Sequence, residues 1–380
     1  MALITAVIMA DVLVYSMLIP LLPAYAAAYG LGQIELGLLL AAYAAGLLVA
    51  TPVSGYLCDR HGRLGPLLTG LAGLVGASLL FAVSDSYPEL VSARILQGAA
   101  SGAAWTAGLA LIADNYPAHE RGIAMGTALS GNAGGMLLGP LFGGIAAQYL
   151  GLRLPFVAAA ALAGAILASA WLLRGRMRRA RPPRQRPQLQ LLRDAGIRRL
   201  ALGLLALTGI FTLIEPTLPL HFATRFQASG GTIGVLFAIV MLGHAVCTPV
   251  AGYCADRYGS TVTIRGGAIA LAATLPLLAL PAGLPLQSVL LLLFGMATAF
   301  ALIPTLPLLA ALVERRSPGA YAQAFALFNL VYAGGMMLGP ALGSVGAQWL
   351  GLSATFSVAA ALLLAALWRL PTADAADFRD

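Results

Sequence analysis

"TPVSGYLCDRHGR" at residues 51–63 and "TPVAGYCADRYGS" at 248–260 are one device written twice, offset by 197. Each closes an apolar run with a glycine, an Asp-Arg pair and a second glycine, and the stretch 36–54 leading up to Gly55 of the first copy carries no charge. Apolar runs of about 18 residues or more are long enough to cross a bilayer core. The charged device therefore reads as a tight turn between two spans, with glycine permitting the reversal. The repetition extends outward from it. "IPLLPAY" at 19–25 answers "EPTLPLH" at 215–221, and "GGMLLGPLFGGIAAQYLGLRLPF" at 134–156 answers "GGMMLGPALGSVGAQWLGLSATF" at 334–356, offset by 200. Equal order and spacing make the halves parallel repeats about an axis along the membrane normal, a plan found in transporters whose substrate site lies between the halves near the midplane.

Composition agrees. Of 380 residues 60% are apolar and only 9% are charged, against about a quarter for a soluble domain. The pattern predicts an all-α polytopic membrane protein with twelve spans at roughly 2–25, 34–57, 65–84, 88–112, 121–147, 154–174, 199–222, 231–254, 263–281, 285–312, 320–348 and 353–371. Alternating segments of the β-barrel kind are absent. The first apolar stretch lacks a basic leader and holds Asp11, so it is expected to be a span and not a cleaved signal peptide. "RGRMRRARPPRQRPQ" at 174–188 divides the spans six and six. The expected organisation is a six-helix bundle over 1–174, an Arg/Pro-rich linker at 175–198, a second six-helix bundle over 199–371 and a tail at 372–380.

The net charge of +8 comes entirely from arginine, and its placement decides its meaning. Ten of 22 arginines lie between Arg174 and Arg199, nine more lie in segments on the same side, and only Arg153 and Arg225 fall in opposite loops. This positive-inside asymmetry puts those loops and both termini in the cytoplasm and argues against a nucleic-acid partner. The three cysteines are scattered, and neither a disulfide nor a metal framework is expected. Small loops and an Ala/Leu/Arg-rich composition suggest a bacterial inner membrane and a monomer.

Three motifs give the chain a family resemblance. The first is Gly55, Asp59, Arg60, Gly62 and Arg63; the second is "RILQGAASGAA", with Arg94, Gln97, Gly98 and Gly102; the third is Gly126, Gly135, Gly139, Pro140, Gly143 and Gly144 on the fifth span. In this order they resemble the major facilitator superfamily, and within it the drug:proton antiporters. That resemblance implies alternating access and a cytoplasmic clasp that holds the halves together when the site faces outward. The clasp set is Gly55, Asp59, Arg60, Gly62 and Arg63 with Asp114, Glu120 and Arg121 of "ADNYPAHERG" and, in the second copy, Asp256 and Arg257. Ser260 replaces Arg63 there, so that side of the clasp should be weaker. The glycines of the fifth span read two ways: as small residues letting helices approach in lipid, and, through Gly139-Pro140, as a bend in a helix that repacks during transport.

Charges inside spans carry most weight, because each costs about 2.5–3.5 kcal/mol unless paired or hydrated. Asp11 lies about eight residues, about 12 Å, into the first span. Arg94 lies in the fourth, and Glu215 sits deep in the seventh before Pro216, which disfavours regular helix at that point. Asp11 and Glu215 are read as cavity carboxylates that exchange a proton for a cationic substrate. Burial favours their neutral form, and one carboxylate cannot hold a proton and a tight cation pair together. Against this stand a fixed Asp11–Arg94 ion pair that sets helix packing and a Glu215 that simply meets water at the outer interface. "DVLVYSMLIPLLPAY" and "LIEPTLPL" are similar to the vesicular monoamine transporters, with Asp11 and Glu215 at the matching acidic positions. Asn329 and the apolar run around Ala299 stand where that family has further acids. His244 is either a proton relay or a packing histidine. Tyr15, Tyr43, Gln97, Asn132, Asn329 and Tyr332 are polar cavity candidates that alternatively bridge helices.

The expected activity is proton-driven export of small amphipathic or cationic organic compounds, energised by the proton gradient without a cofactor. An importing symporter or facilitator, and a non-transporting receptor or scaffold, are the alternatives. No nucleophile–base set, metal cluster or nucleotide loop points to an enzyme.

Overall fold

The computed structural model of the protein describes residues 1–176, 188–280, 283–316, 321–368 and 370. Most of the expected linker (177–187), the expected tail (372–380) and the side chains of His119 and Arg121 lie outside the described residues. Among the described residues all regular structure is helical: α1 Ala2–Ser16, α2 Leu22–Tyr29, α3 Gln33–His61, α4 Leu64–Val83, α5 Tyr87–Asn115, α6 Ala118–Leu150, α7 Leu154–Leu173, α8 Ala195–Phe226, α9 Gly230–Tyr258, α10 Ser260–Leu277, α11 Leu284–Leu302, α12 Thr305–Arg316, α13 Tyr321–Trp349 and α14 Leu352–Trp368. A 3-10 turn at Ile19–Leu21 joins α1 to α2, so the first span is Ala2–Tyr29, and α11 with α12 forms the span Leu284–Arg316. Among the described residues ten helical segments are long and apolar enough to cross a membrane. The Gly-rich α6 and the 17-residue α14 complete the twelve helical passages in the expected order.

Two expectations change in detail. Asp59 and Arg60, read as loop residues, form the last turn of α3, and the chain reverses one residue later at Gly62 (φ +88°), whose amide bonds to Cys58 O. Asp256 and Arg257 likewise end α9 before Gly259 (φ +92°). Both glycines sit where a side chain would be strained. Second, α8 runs unbroken through Pro216, contrary to the irregular helix expected at Glu215. Threonine hydroxyls along this helix bond its carbonyls, with Thr212 Oγ1 donating to Thr208 O at 2.9 Å and Thr217 Oγ1 to Leu213 O at 2.8 Å. Neither acceptor is Thr212 O, the carbonyl that Pro216 leaves without its helical donor; membrane helices tolerate proline where their surroundings satisfy such a group.

The chain divides into two compact units, Met1–Arg184 with Pro219–Ala238, and Gln185–Leu218 with Ile239–Asp380. In the first unit α1 lies along α6, α3 along α5, α4 along α5, and α7 on α4. Lipid supplies no hydrophobic drive between helices, so close backbone approach must hold them. A Cβ at Gly131, Gly135, Gly139 or Gly143 would strike the backbone of the first span at Thr5, Met9, Leu13 or Met17. One at Gly46 or Gly98 would overlap the carbonyl of Ile95 or Tyr43 across the α3–α5 seam, and Gly70 faces Ala100 and Ala104.

The second unit packs by the same rule. Gly335 and Gly339 press on Thr208, Gly209 and Thr212 of α8, Gly243 on Leu292 O, Gly295 on Val240 O, and Gly267 on Ala301. Gly46, Gly70 and Gly98 recur at Gly243, Gly267 and Gly295 with the offset of 197 read in the charged turn. The packing reading of the fifth-span glycines is therefore realised at Gly135, Gly139 and Gly143 on the first span, and at Gly144 on Gly230, whereas Gly126 faces open space.

Candidate functional site

Asp11 is the buried carboxylate of the first unit, 1% exposed on α1. Its neighbours come from one stripe of α5, where Arg94, Gln97, Ser101 and Trp105 recur at helical spacing. Ser101 Oγ donates to Asp11 Oδ2 at 2.6 Å and Trp105 Nε1 donates to the same oxygen at 2.8 Å. Tyr43 Oη of α3 lies 3.3 Å from Oδ2 and donates to Ser101 Oγ at 2.8 Å. Oδ1 is buried and has no hydrogen-bond partner. Hydrogen bonds to a charged group contribute about 1.5–3 kcal/mol each, enough to make a buried carboxylate tenable.

Arg94, fully buried, turns its guanidinium elsewhere. Nη1 donates to Gln97 Oε1 at 2.6 Å and Nη2 to Tyr15 O at 3.3 Å. Its central carbon lies 5.3 Å from the Tyr15 ring centroid and 5.7 Å from that of Tyr43, within cation–π range, and the two rings are 4.6 Å apart. The fixed Asp11–Arg94 pair weighed from sequence is not formed: the donors to Asp11 are a serine and a tryptophan, with Tyr43 donating to the serine. The structure thus brings together Asp11, Tyr15, Tyr43, Arg94 and Gln97 of the expected set. Sequence reasoning missed Ser101 and Trp105, although their i+7 and i+11 spacing from Arg94 was the signal. Asn132 on α6 is half-buried.

In the second unit Glu215 is 2% exposed and lies within electrostatic reach of Tyr332, whose ring stacks on Phe328 at 5.9 Å. His244 sits 6.4 Å from the Phe211 ring, with Nδ1 buried and lacking a hydrogen-bond partner, and Asn329 is half-buried on α13.

At the charged turn Arg63 joins two helix ends. Nη1 donates to Asp59 Oδ1 at 3.0 Å and Nε to Asp114 Oδ2, at the end of α5, at 3.1 Å. Arg60 instead donates to Tyr56 Oη at 2.9 Å. Glu120 is exposed in the first turn of α6, and the Arg121 side chain lies outside the described residues. In the second copy Arg257 rests 5.8 Å from the Tyr258 ring centroid, and among the described residues Asp256 makes no ion pair. Ser260 and Ala311 stand at the positions of Arg63 and Asp114, which removes both arms of the bridge. That unit carries a different tie: Asp194 caps α8 by accepting from Ile197 N at 3.0 Å and pairs with Arg316 at 2.5 Å. Its carboxyl is held below the usual range by the Ile197 amide first and by Arg316 second. Among the described residues no group of three or more His, Cys, Asp or Glu is placed to hold a metal ion.

Two repeated helical units, each with a buried carboxylate, define a multi-pass α-helical membrane protein. The family model described as Major Facilitator Superfamily matches residues 4–214 and 200–377, and the chain belongs to that superfamily. The synaptic vesicular amine transporter of Bos taurus is 30% identical over 328 residues, covering 84% of this chain and 63% of that protein. The vesicular acetylcholine transporter of Rattus norvegicus is 31% identical over 316 residues, covering 81% and 60%. The chain therefore spans less than two-thirds of the length of these curated relatives. Among solved structures the human organic anion transporter MFSD10 has a TM-score of 0.72 at 21% identity, covering 97% of this chain and 98% of that one. A bacterial homologue of the human lysosomal transporter Spinster, inward-facing and unoccupied, has a TM-score of 0.72 at 15% identity, covering 97% and 93%. At these identities the likeness is one of fold.

Proposed function

We propose that the protein is a proton-coupled antiporter that exports small organic cations or amphipathic amines, with Asp11 as the exchange carboxylate. The observation that carries this is the Asp11 carboxylate itself: buried in an apolar helix bundle, held at Oδ2 by two neutral donors, Ser101 and Trp105, with Tyr43 behind the serine, and unengaged at Oδ1. A carboxylate so placed binds either a proton or a cation at its open oxygen, and competition between them couples their movements. Relatives named for amines and for acetylcholine support a cationic substrate. Glu215 is the second carboxylate of the exchange path. The proton gradient supplies the energy without a cofactor, and the protein acts as a monomer in a bacterial inner membrane with both termini cytoplasmic.

The test uses proteoliposomes with an acidic lumen and a pH-sensitive dye. Organic cations, neutral amphiphiles and anions are added to the parent, Asp11→Asn and Glu215→Gln. Cations are expected to drive proton efflux in the parent, with about 100-fold or greater loss in Asp11→Asn, the scale of about 3 kcal/mol lost at a coupling site. Cation movement without protons, or full coupling in both variants, contradicts the reading.

A further inference from the structure

We propose that Ser101 and Trp105 are positioning residues that divide the Asp11 carboxylate into a fixed oxygen, Oδ2, and an exchanging oxygen, Oδ1. The inference rests on the antiport reading and concerns which atom of Asp11 takes part. Oδ2 faces Ser101 Oγ at 2.6 Å, Trp105 Nε1 at 2.8 Å and Tyr43 Oη at 3.3 Å. An indole N–H is a donor only. A proton on Oδ2 could be accepted only by Ser101 Oγ, whose own hydrogen would then turn away, and it would leave the carbonyl oxygen Oδ1 buried without a donor. A proton on Oδ1 keeps both donors on Oδ2, which stays an acceptor in both protonation states. Tyr43 donates to Ser101 Oγ at 2.8 Å, which leaves the serine hydrogen free to turn toward Oδ2. Both α5 donors therefore hold the same oxygen, and a half-turn of the carboxyl group would break them together. Oδ1, buried and without a hydrogen-bond partner, is the atom left for a proton or a cation.

The surroundings within this unit supply no competing base. Arg94 on α5 and Tyr43 on α3 are the ionisable groups that act on Asp11. Of the other helices packed on α1, α4 and α7 have no ionisable residue, and α6 carries His119, Glu120, Arg121 and Tyr149 only near its ends. Trp105 and Ser101 lie four residues apart, so one turn of α5 delivers both donors.

The arrangement predicts a spectroscopic signature that a purely structural role would not give. When Asp11 is protonated on Oδ1, Oδ2 is the carbonyl oxygen, and its stretching frequency is lowered by the donors it accepts. The experiment records acid-minus-alkaline infrared difference spectra of the full-length protein in lipid and assigns the Asp11 carbonyl band by its loss in Asp11→Asn. Trp105→Phe and Ser101→Ala are each expected to shift that band to higher wavenumber, whereas Ser101→Thr, which keeps the hydroxyl, leaves it in place. Ser101→Ala carries the test if Trp105→Phe does not fold.

An unshifted band in Trp105→Phe and Ser101→Ala overturns the proposal, as does the absence of any Asp11-dependent carbonyl band. The antiport reading fails separately, by undiminished proton–cation exchange in Asp11→Asn proteoliposomes. The two failures are therefore distinguishable.

Discussion

The two halves of the chain share a skeleton and differ in what it holds. Gly46, Gly70 and Gly98 find their equivalents in Gly243, Gly267 and Gly295, and each equivalent pair presses on the same backbone element of its own unit. With the same offset of 197, Tyr43, Arg94, Gln97, Ser101 and Trp105 become Val240, Leu291, Phe294, Thr298 and Leu302; with the offset of 196 that relates Ile19 to Glu215, Asp11 becomes Leu207 and Tyr15 becomes Phe211. All of these second-half counterparts are buried. Helix packing in lipid constrains backbone distance, so the glycines recur, while the side chains pointing into the bundle are free to diverge from hydrogen-bonded polar groups to apolar ones, Thr298 excepted. The Asp11 cluster is thus an elaboration of one half, and Glu215 stands at a position whose first-half counterpart is Ile19.

The symmetric part of this comparison is the easiest to break. Gly98→Ala and Gly295→Ala would each drive a Cβ into a carbonyl oxygen, of Tyr43 and Val240 respectively. Each should lower stability by about 1–3 kcal/mol and by similar amounts, read as thermal unfolding in detergent. Gly55→Ala, with open space at its Cβ, should change little. A loss at only one of the two seam glycines would mean that the halves are not held by the same contacts.

The charged turns sharpen the asymmetric part. Arg63→Ala removes both arms of the bridge from Asp59 to Asp114 and should cost about 1 kcal/mol, the scale of partly exposed ion pairs. Ser260→Arg together with Ala311→Asp should build an equivalent bridge in the second half and recover up to about 1 kcal/mol, whereas Ser260→Arg alone should not. A double-mutant cycle measures the coupling, and a coupling energy of zero would show that residue identity at these two positions does not explain the difference.

The smallest effect concerns the start of α8. Asp194 caps that helix, while α1 begins without a side-chain cap. Asp194→Ala should cost roughly 0.5–1 kcal/mol at neutral pH, since the carboxylate is partly exposed. Its folded carboxyl is held below the ordinary aspartate range, so its contribution is present above that range and lost as pH falls through the lowered value. Stability measured against pH should therefore have a steeper acid slope in the parent than in Asp194→Ala. Equal slopes would remove Asp194 from the account.

The sequence made the repeated plan legible because it is carried by glycines, prolines and charges at fixed offsets, and each of these residue types has a strict physical use. Asp11, Arg94 and Glu215 were legible because charge in an apolar span is costly. The partners of Asp11 were less so. Arginine is the obvious mate for a carboxylate, yet here Arg94 is taken by Gln97, the Tyr15 carbonyl and two rings, and Trp105 donates in its place. An indole in an apolar helix is easily read as bulk and not as a donor. Pro216 was a misleading signal, since propensity against helix before proline is overridden in packed membrane helices. The Asp194–Arg316 tie joins residues more than a hundred positions apart and left no local pattern to read.

The most direct measurement of the central claim is proton release on cation binding by the purified protein in weakly buffered detergent, with an indicator dye. Organic cations of increasing size, including acetylcholine, are titrated into the parent and into Asp11→Asn. The account predicts that at least one cation releases protons from the parent and that Asp11→Asn releases none from the same cation. Equal proton release from both proteins would contradict the assignment of Asp11 as the exchange carboxylate.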